Sequence, residues 1–163
     1  MHHAVEPVPA ILMPCACTTL RKASRAVSRL YDEAMVGSGM TTTQLAILRS
    51  LGRTGTTPLS RLADSLVMDR TSLYRALPPL LAKGWMAVSD AERGKTKLAD
   101  LTDAGREALI RAAPYWEAAQ QTFVNAHGAL AWAQMFDRLQ DVIATASPGG
   151  STLSAAPSKA PRP

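Results

Sequence analysis

Between Pro58 and Trp85 the apolar positions fall into two short helical sets separated by Val67-Met68-Asp69. Leu59, Leu62, Ala63 and Leu66 share one helical face, which predicts a short helix with Ser60 as its N-cap. Leu73, Ala76, Leu77, Leu80 and Leu81 share a face of a second helix, with Asp69 at its N-cap. A connection this brief makes a helix-turn-helix: the small Ala63 lets the helices cross closely and Leu73 fills the space beneath. The outward positions of the second helix are Arg70, Thr71, Ser72, Tyr74 and Arg75, groups suited to phosphates and base edges in a DNA major groove.

The pattern then changes period. Gly84 suits a left-handed C′ position, Trp85 to Val88 reads as a strand, Ser89 to Thr96 is polar, and Lys97 to Leu101 reads as a returning strand. Arg93, Lys95 and Lys97 make this hairpin basic, with Gly94 at or near its tip, and Arg61 adds a cation from the first helix of the pair. A helix-turn-helix followed by a basic hairpin is the winged-helix arrangement. Thr57-Pro58-Leu59 suits a very short strand beside the wing.

Flanking segments are helical. Leu20, Ala23, Val27, Leu30 and Ala34 form one stripe over about residues 15–35, with Arg21, Arg25 and Arg29 on another face. That basic row is either a solvated face or a site for an anionic effector or DNA phosphate. Gly37-Ser38-Gly39 breaks the helix, and Thr41 or Thr42 caps the next, whose Leu45, Leu48 and Leu51 point inward. Thr102 caps a helix through Leu109, Ala112, Trp116, Ala119 and Phe123 with a bend at Pro114, and Asn125 to Gly128 reads as a turn. A last helix, about 129–146, presents Leu130, Phe136, Leu139, Val142 and Ile143. The expected fold is mainly α with a small β-hairpin: a winged helix-turn-helix flanked by N- and C-terminal dimerisation helices. Residues 1–14 read as a flexible arm. Residues 15–146 form one domain, with 15–36 and 102–146 for dimerisation and 41–101 for DNA binding. The Ser/Pro/Gly/Ala-rich 147–163 read as a disordered tail.

Composition narrows the partners. The 163 residues carry a net charge of +5, and residues 61–97 hold seven basic side chains against four acidic ones. An acidic partner such as double-stranded DNA fits that enrichment. No apolar run approaches a membrane span of about 18–20 residues, and no signal peptide is seen, so a cytoplasmic location is expected. His127 has no nucleophilic or acidic pattern beside it, and no phosphate loop or metal-ligand cluster is present, so neither an enzyme nor a cofactor is expected. Cys15 and Cys17 are too few for a disulfide framework. They are small buried apolar groups, redox-active thiols at a helix start, or contacts to an effector or metal.

Several segments together resemble the MarR family of bacterial transcription regulators. They are Thr43 to Arg49, Leu62 to Leu66, Asp69 to Arg75, Leu80 to Trp85, and Leu98 to Gly105 after the wing. The resemblance spans about residues 18–145. It implies a homodimeric winged helix, usually a repressor on a pseudo-palindromic operator, released by a small molecule or by thiol oxidation. It also implies an effector cleft between dimerisation helices and winged domain. Cys15 and Cys17 before Leu20-Arg21-Lys22-Ala23-Ser24-Arg25 look similar to one branch of the family, which makes Cys15, Cys17, Arg21 and Arg25 the candidate effector or redox residues. Three positions depart from the pattern. Val67 stands where the family often has Gly, so a different backbone path is expected at the turn. Pro78-Pro79 removes two donors from the recognition helix, predicting a kink or tightened last turn. Arg93 and Lys95 replace an Asp and Arg that steady the wing, which leaves its cations without an acidic partner. The competing class is a winged helix used for protein contacts or nonspecific DNA binding.

Overall fold

The computed structural model describes residues 14–91 and 96–147. The expectations for the N-terminal arm, for Arg93, Gly94 and Lys95, and for the tail beyond Ser147 lie outside those residues. The described chain has six α-helices and a three-stranded antiparallel sheet.

Helix α1 spans Ala16–Ala34 and buries none of its own residues, whereas the following Met35 is fully enclosed. A 3₁₀ turn, Val36–Ser38, leads to α2, Thr42–Thr54. Thr41 caps α2 through a reciprocal box: its hydroxyl accepts from Gln44 N–H at 3.3 Å while Gln44 Oε1 accepts from Thr41 N–H at 3.1 Å. Asp32 of α1 adds a second anchor, accepting from the N–H and hydroxyl of Thr42 at 2.7 and 2.8 Å. One carboxylate thus satisfies an orphan helix-start donor and ties α1 to α2.

Strand β1, Thr57–Pro58, runs directly into α3, Leu59–Ser65, so Pro58 occupies the N-cap and the expectation of a Ser60 cap is overturned. Pro58 pairs with Leu98 in the sheet and the helix begins at the next residue, which places the exposed Ser60 inside the first turn. At the other end of α3, Val67 N–H donates to Asp64 C=O at 3.1 Å and Met68 N–H to Ala63 C=O at 2.9 Å. This is a Schellman closure with Val67 at C′ and φ of 51°. The turn therefore keeps the left-handed path expected only of glycine. Two carbonyls gain donors there, and the valine bears the steric cost.

Helix α4, Arg70–Ala82, buries Leu73, Leu77 and Leu80 and continues as one helix through Pro78 and Pro79. Both prolines are exposed, and the carbonyls deprived of helical donors, on Tyr74 and Arg75, belong to exposed residues that water reaches. Its end is a second Schellman closure: Gly84 N–H donates to Leu81 C=O and Trp85 N–H to Leu80 C=O, with Gly84 at φ 65°.

Strands β2 (Met86–Asp90) and β3 (Lys97–Leu101) pair from Met86↔Leu101 to Asp90↔Lys97, with β3 central in the order β1-β3-β2. Ser89 and Asp90 thus belong to the strand rather than to the polar turn. Thr102 caps α5, Asp103–His127, accepting from Gly105 N–H at 3.0 Å and donating to Gly84 C=O at 2.6 Å. A Cβ at Gly105 would meet the Trp85 carbonyl and the Leu101 side chain, so only glycine lets α5 start this close to the wing base. α5 continues without interruption through Pro114 and on to His127, so the turn expected at Asn125–Gly128 shrinks to Gly128 alone. α6 follows, Ala129–Ala146, with no buried residue.

The core is built chiefly from α2, α3, α4 and the sheet: Leu45, Ile47, Leu48, Leu51, Leu59, Leu62, Ala63, Leu73, Leu77, Leu80, Met86 and Ala99, closed by Ala108 and Ala112 of α5. Leu20, Leu130, Phe136, Val142 and Ile143 remain exposed on the flanking helices.

Candidate nucleic-acid interface

With Leu73, Leu77 and Leu80 turned inward, the opposite surface of α4 is fixed by helical geometry. Arg70 and Tyr74 form one i, i+4 row and Thr71 and Arg75 a neighbouring one, all exposed. Asp69 holds the start of α4, accepting from Ser72 N–H at 2.8 Å and from the Ser72 hydroxyl at 2.6 Å. Those hydrogen bonds lower the Asp69 pKa, so the cap is charged across the neutral range. Ser72 thereby serves the cap with its proton, and its oxygen still has accepting capacity.

The sheet brings the wing's base to this surface. Leu59, Ser60, Arg70, Tyr74, Thr96 and Lys97 line one cavity of about 210 Å³, which joins the recognition helix, the start of α3 and strand β3. Lys97 Nζ lies 2.6 Å from Asp90 Oδ1 across the hairpin, both side chains largely exposed. The expectation that the wing's cations lack an acidic partner is therefore corrected for Lys97. Arg61 stands apart from that cavity, lining another with Thr54, Thr56, Thr57, Pro58 and Ser65. Arg93 and Lys95 lie outside the described residues.

A second feature lies where α1 and α5 meet α2 and α3. Tyr31, Thr42, Leu45, Ala46, Arg49, Arg53, Leu66 and Trp116 line a cleft of about 370 Å³ with two guanidinium groups and no carboxylate among those residues. Arg49 lies over the Trp116 ring, 4.5 Å from its centroid. The Tyr31 hydroxyl donates to Gln120 Oε1 at 2.6 Å, and burial raises the phenol's pKa so that it stays a neutral donor. Arg21 and Arg25 do not line this cleft; they are exposed on α1 with no ion pair among the described residues. Arg49 and Arg53 are not among the sequence-predicted site residues, although their i, i+4 spacing as the only charged residues of α2 is a usable signal. Trp116 reads there only as a core position.

Cys15 and Cys17 are exposed free thiols, which removes the buried-apolar alternative and leaves the other two. Cys15 is the N-cap residue of α1, and hydrogen bonds from Thr18 and from the Cys17 backbone lower its pKa. Among the described residues no cluster of three metal-ligating side chains occurs, and no helix is long and apolar enough to cross a membrane.

A helix-turn-helix with a β-hairpin wing, exposing basic and polar groups on its second helix, defines the winged-helix class. The model of the MarR family matches residues 40–93. The Mycobacterium tuberculosis transcriptional regulator MosR, solved in complex with DNA, is 30% identical over 82% of this chain and 96% of its own, with a TM-score of 0.74. Two further structures show the same fold. A probable transcriptional regulator from Pseudomonas aeruginosa is 23% identical over 78% of this chain and 96% of its own, TM-score 0.70. A mutant Escherichia coli MarR complexed with operator DNA is 21% identical over 77% and 91%, TM-score 0.69. No curated protein matches the chain. The chain belongs to the MarR family of transcriptional regulators.

Proposed function

We propose that this protein is a sequence-specific, DNA-binding transcriptional regulator acting in the cytoplasm as a homodimer, a repressor on a pseudo-palindromic operator. One observation carries the reading: Arg70, Thr71, Tyr74 and Arg75 are exposed on the recognition helix while Leu73, Leu77 and Leu80 seat it on the core. Arg75 reads a base, Arg70, Tyr74, Arg61 and Lys97 hold phosphates, and Arg93 and Lys95 supply further cations for phosphates. Residues 15–36 and 102–146 serve as dimerisation helices, since α1 and α6 bury nothing in the single chain and leave Leu20, Leu130, Phe136 and Ile143 to be covered. MosR was solved with DNA, which supports the same partner here.

Release from DNA is assigned to the cleft holding Arg49, Arg53, Trp116 and Tyr31. Its two cations and aromatic wall suit a small aromatic or amphipathic organic anion. Oxidation of Cys15 and Cys17 is a second route, favoured by their exposure and the lowered Cys15 pKa. Selection of bound duplexes from a random-sequence pool tests the central reading. Enriched two-fold symmetric sites with half-sites about one helical turn apart are expected. Enrichment without a shared sequence would leave only a nonspecific binder.

A further inference from the structure

Lys83 stands at the far end of the recognition helix from the row that faces DNA, yet its cation is held in place. As the C-cap residue of α4 it is exposed and has no ion pair among the described residues. Its Nζ instead donates to the Gly39 carbonyl at 2.7 Å and lies over the Trp85 ring, 4.2 Å from the centroid. Neither partner is loose. Gly39 closes the 3₁₀ turn between α1 and α2, donating its N–H to Val36 C=O at 3.1 Å with φ 67°. Trp85 packs against the core, and its N–H completes the closure of α4 on Leu80 C=O. The segment that Lys83 grips is itself tied to α1, because Asp32 accepts from the N–H and hydroxyl of Thr42 just beyond it. On the other side of the same helix end, the Thr102 hydroxyl at the start of α5 donates to Gly84 C=O. The end of α4 is thus hitched to both flanking helices, to α1 by way of Lys83 and to α5 by way of Thr102.

We propose that Lys83 is a positioning residue for operator recognition: through Gly39 and Trp85 it fixes the tilt of α4 against the dimerisation helices, and so sets the half-site spacing that the dimer accepts. The inference rests on the dimeric DNA-binding reading above. Leverage makes a single side chain sufficient. The 13 residues of α4 span about 20 Å, so a change of about 10° in tilt shifts one end against the other by about 3.5 Å, close to the ~3.4 Å step between base pairs. Two-fold symmetry applies that shift at both half-sites. Lys83 lies about two helical turns beyond Arg75, so it acts through the helix and not on a phosphate. An ammonium has several donors but one position, and the Trp85 ring and the Gly39 carbonyl together define it.

The test uses full-length protein and the selected operator, rebuilt with its half-sites one base pair closer or one base pair further apart, and a duplex with a single half-site. In Lys83→Met, which keeps the aliphatic stem, the parental preference for the selected spacing should fall about fivefold or more, as the dimer tolerates both altered spacings. Affinity for the single half-site and the log–log salt slope should stay at the parental values, since no phosphate contact is lost. Lys83→Arg should keep the preference, because a guanidinium also donates to a carbonyl and stacks on an indole. Helix content and dimer state are measured alongside, and Lys83→Gln replaces the methionine variant if either falls. A neutral variant with the parental spacing preference overturns this inference, as does an equal loss on every duplex or a salt slope shallower by about one unit, which marks a phosphate contact. All three leave the DNA-binding reading standing. A parent that is monomeric or binds no two-half-site duplex overturns both.

Discussion

Val67 closes the end of α3 with its backbone in the left-handed region. A β-branched side chain at φ 51° costs on the order of 1–2 kcal/mol, yet the turn adopts it. Two backbone hydrogen bonds and the burial of Leu62, Ala63 and Leu73 on either side offset that cost. Local sterics pointed to an altered turn because tertiary packing was not visible in them. Since Val67 is 57% exposed, replacing it removes little packing. Val67→Gly should raise stability by roughly 0.5–1 kcal/mol, after the glycine's extra unfolded-state freedom of roughly 0.5–1 kcal/mol is subtracted. Urea unfolding measures this, and a destabilised variant would contradict the strain. Gly105→Ala should do the reverse, since the added methyl meets the Trp85 backbone at a point where α5 cannot retreat without losing the Thr102 cap. The loss should be on the order of 1–3 kcal/mol by the same unfolding measurement. At Cys15, the lowered pKa predicts thiolate chemistry at lower pH than an ordinary cysteine: its alkylation rate should rise with pH and level off earlier. A rate still climbing where free cysteine levels off would remove the thiol route to release.

At the scale of elements, most of the fold was legible because each helix carries its own period and cap. Asp69, Thr41 and Thr102 are caps in the structure, and Thr57-Pro58 does form the small strand beside the wing. What was not legible depends on partners distant in sequence. Ser60 lost the cap because β1 runs straight into α3, and the wing's ion pair emerged only with the Asp90↔Lys97 register. Sequence position shows Lys97 only as the start of the returning strand, whereas the structure sets it in the same cavity as Arg70 and Tyr74. The surface pair with Asp90 contributes at most about 1 kcal/mol, so it steadies Lys97 without withdrawing it from phosphate. Lys97→Ala should therefore weaken binding to operator and scrambled duplexes alike and make the salt slope shallower by about one unit. An unchanged slope would remove Lys97 from the interface.

For the whole molecule, function depends on surfaces that a single chain leaves uncovered. The apolar stripes of α1 and α6 were readable from spacing, but their exposure shows that they are not needed by the winged-helix core. The resemblance implied a cleft between the dimerisation helices and the winged domain, but its lining was not readable. Arg49, Trp116 and Tyr31 converge from three helices, and only the assembled fold brings them together. Phe136→Asp, on the open face of α6, should shift the protein to monomer in sedimentation while the winged-helix core stays folded. Binding to a two-half-site operator should then fall far more than binding to one half-site. The central claim is that the exposed row of α4 reads DNA sequence, and Arg75 tests it most directly. The measurement is the affinity of parent and Arg75→Ala for the selected operator and for a scrambled duplex at one salt concentration. A loss of roughly 1–3 kcal/mol on the operator is expected, with preference relaxed at one base position and a smaller loss on scrambled DNA. Equal affinity and unchanged base preference in Arg75→Ala would contradict it.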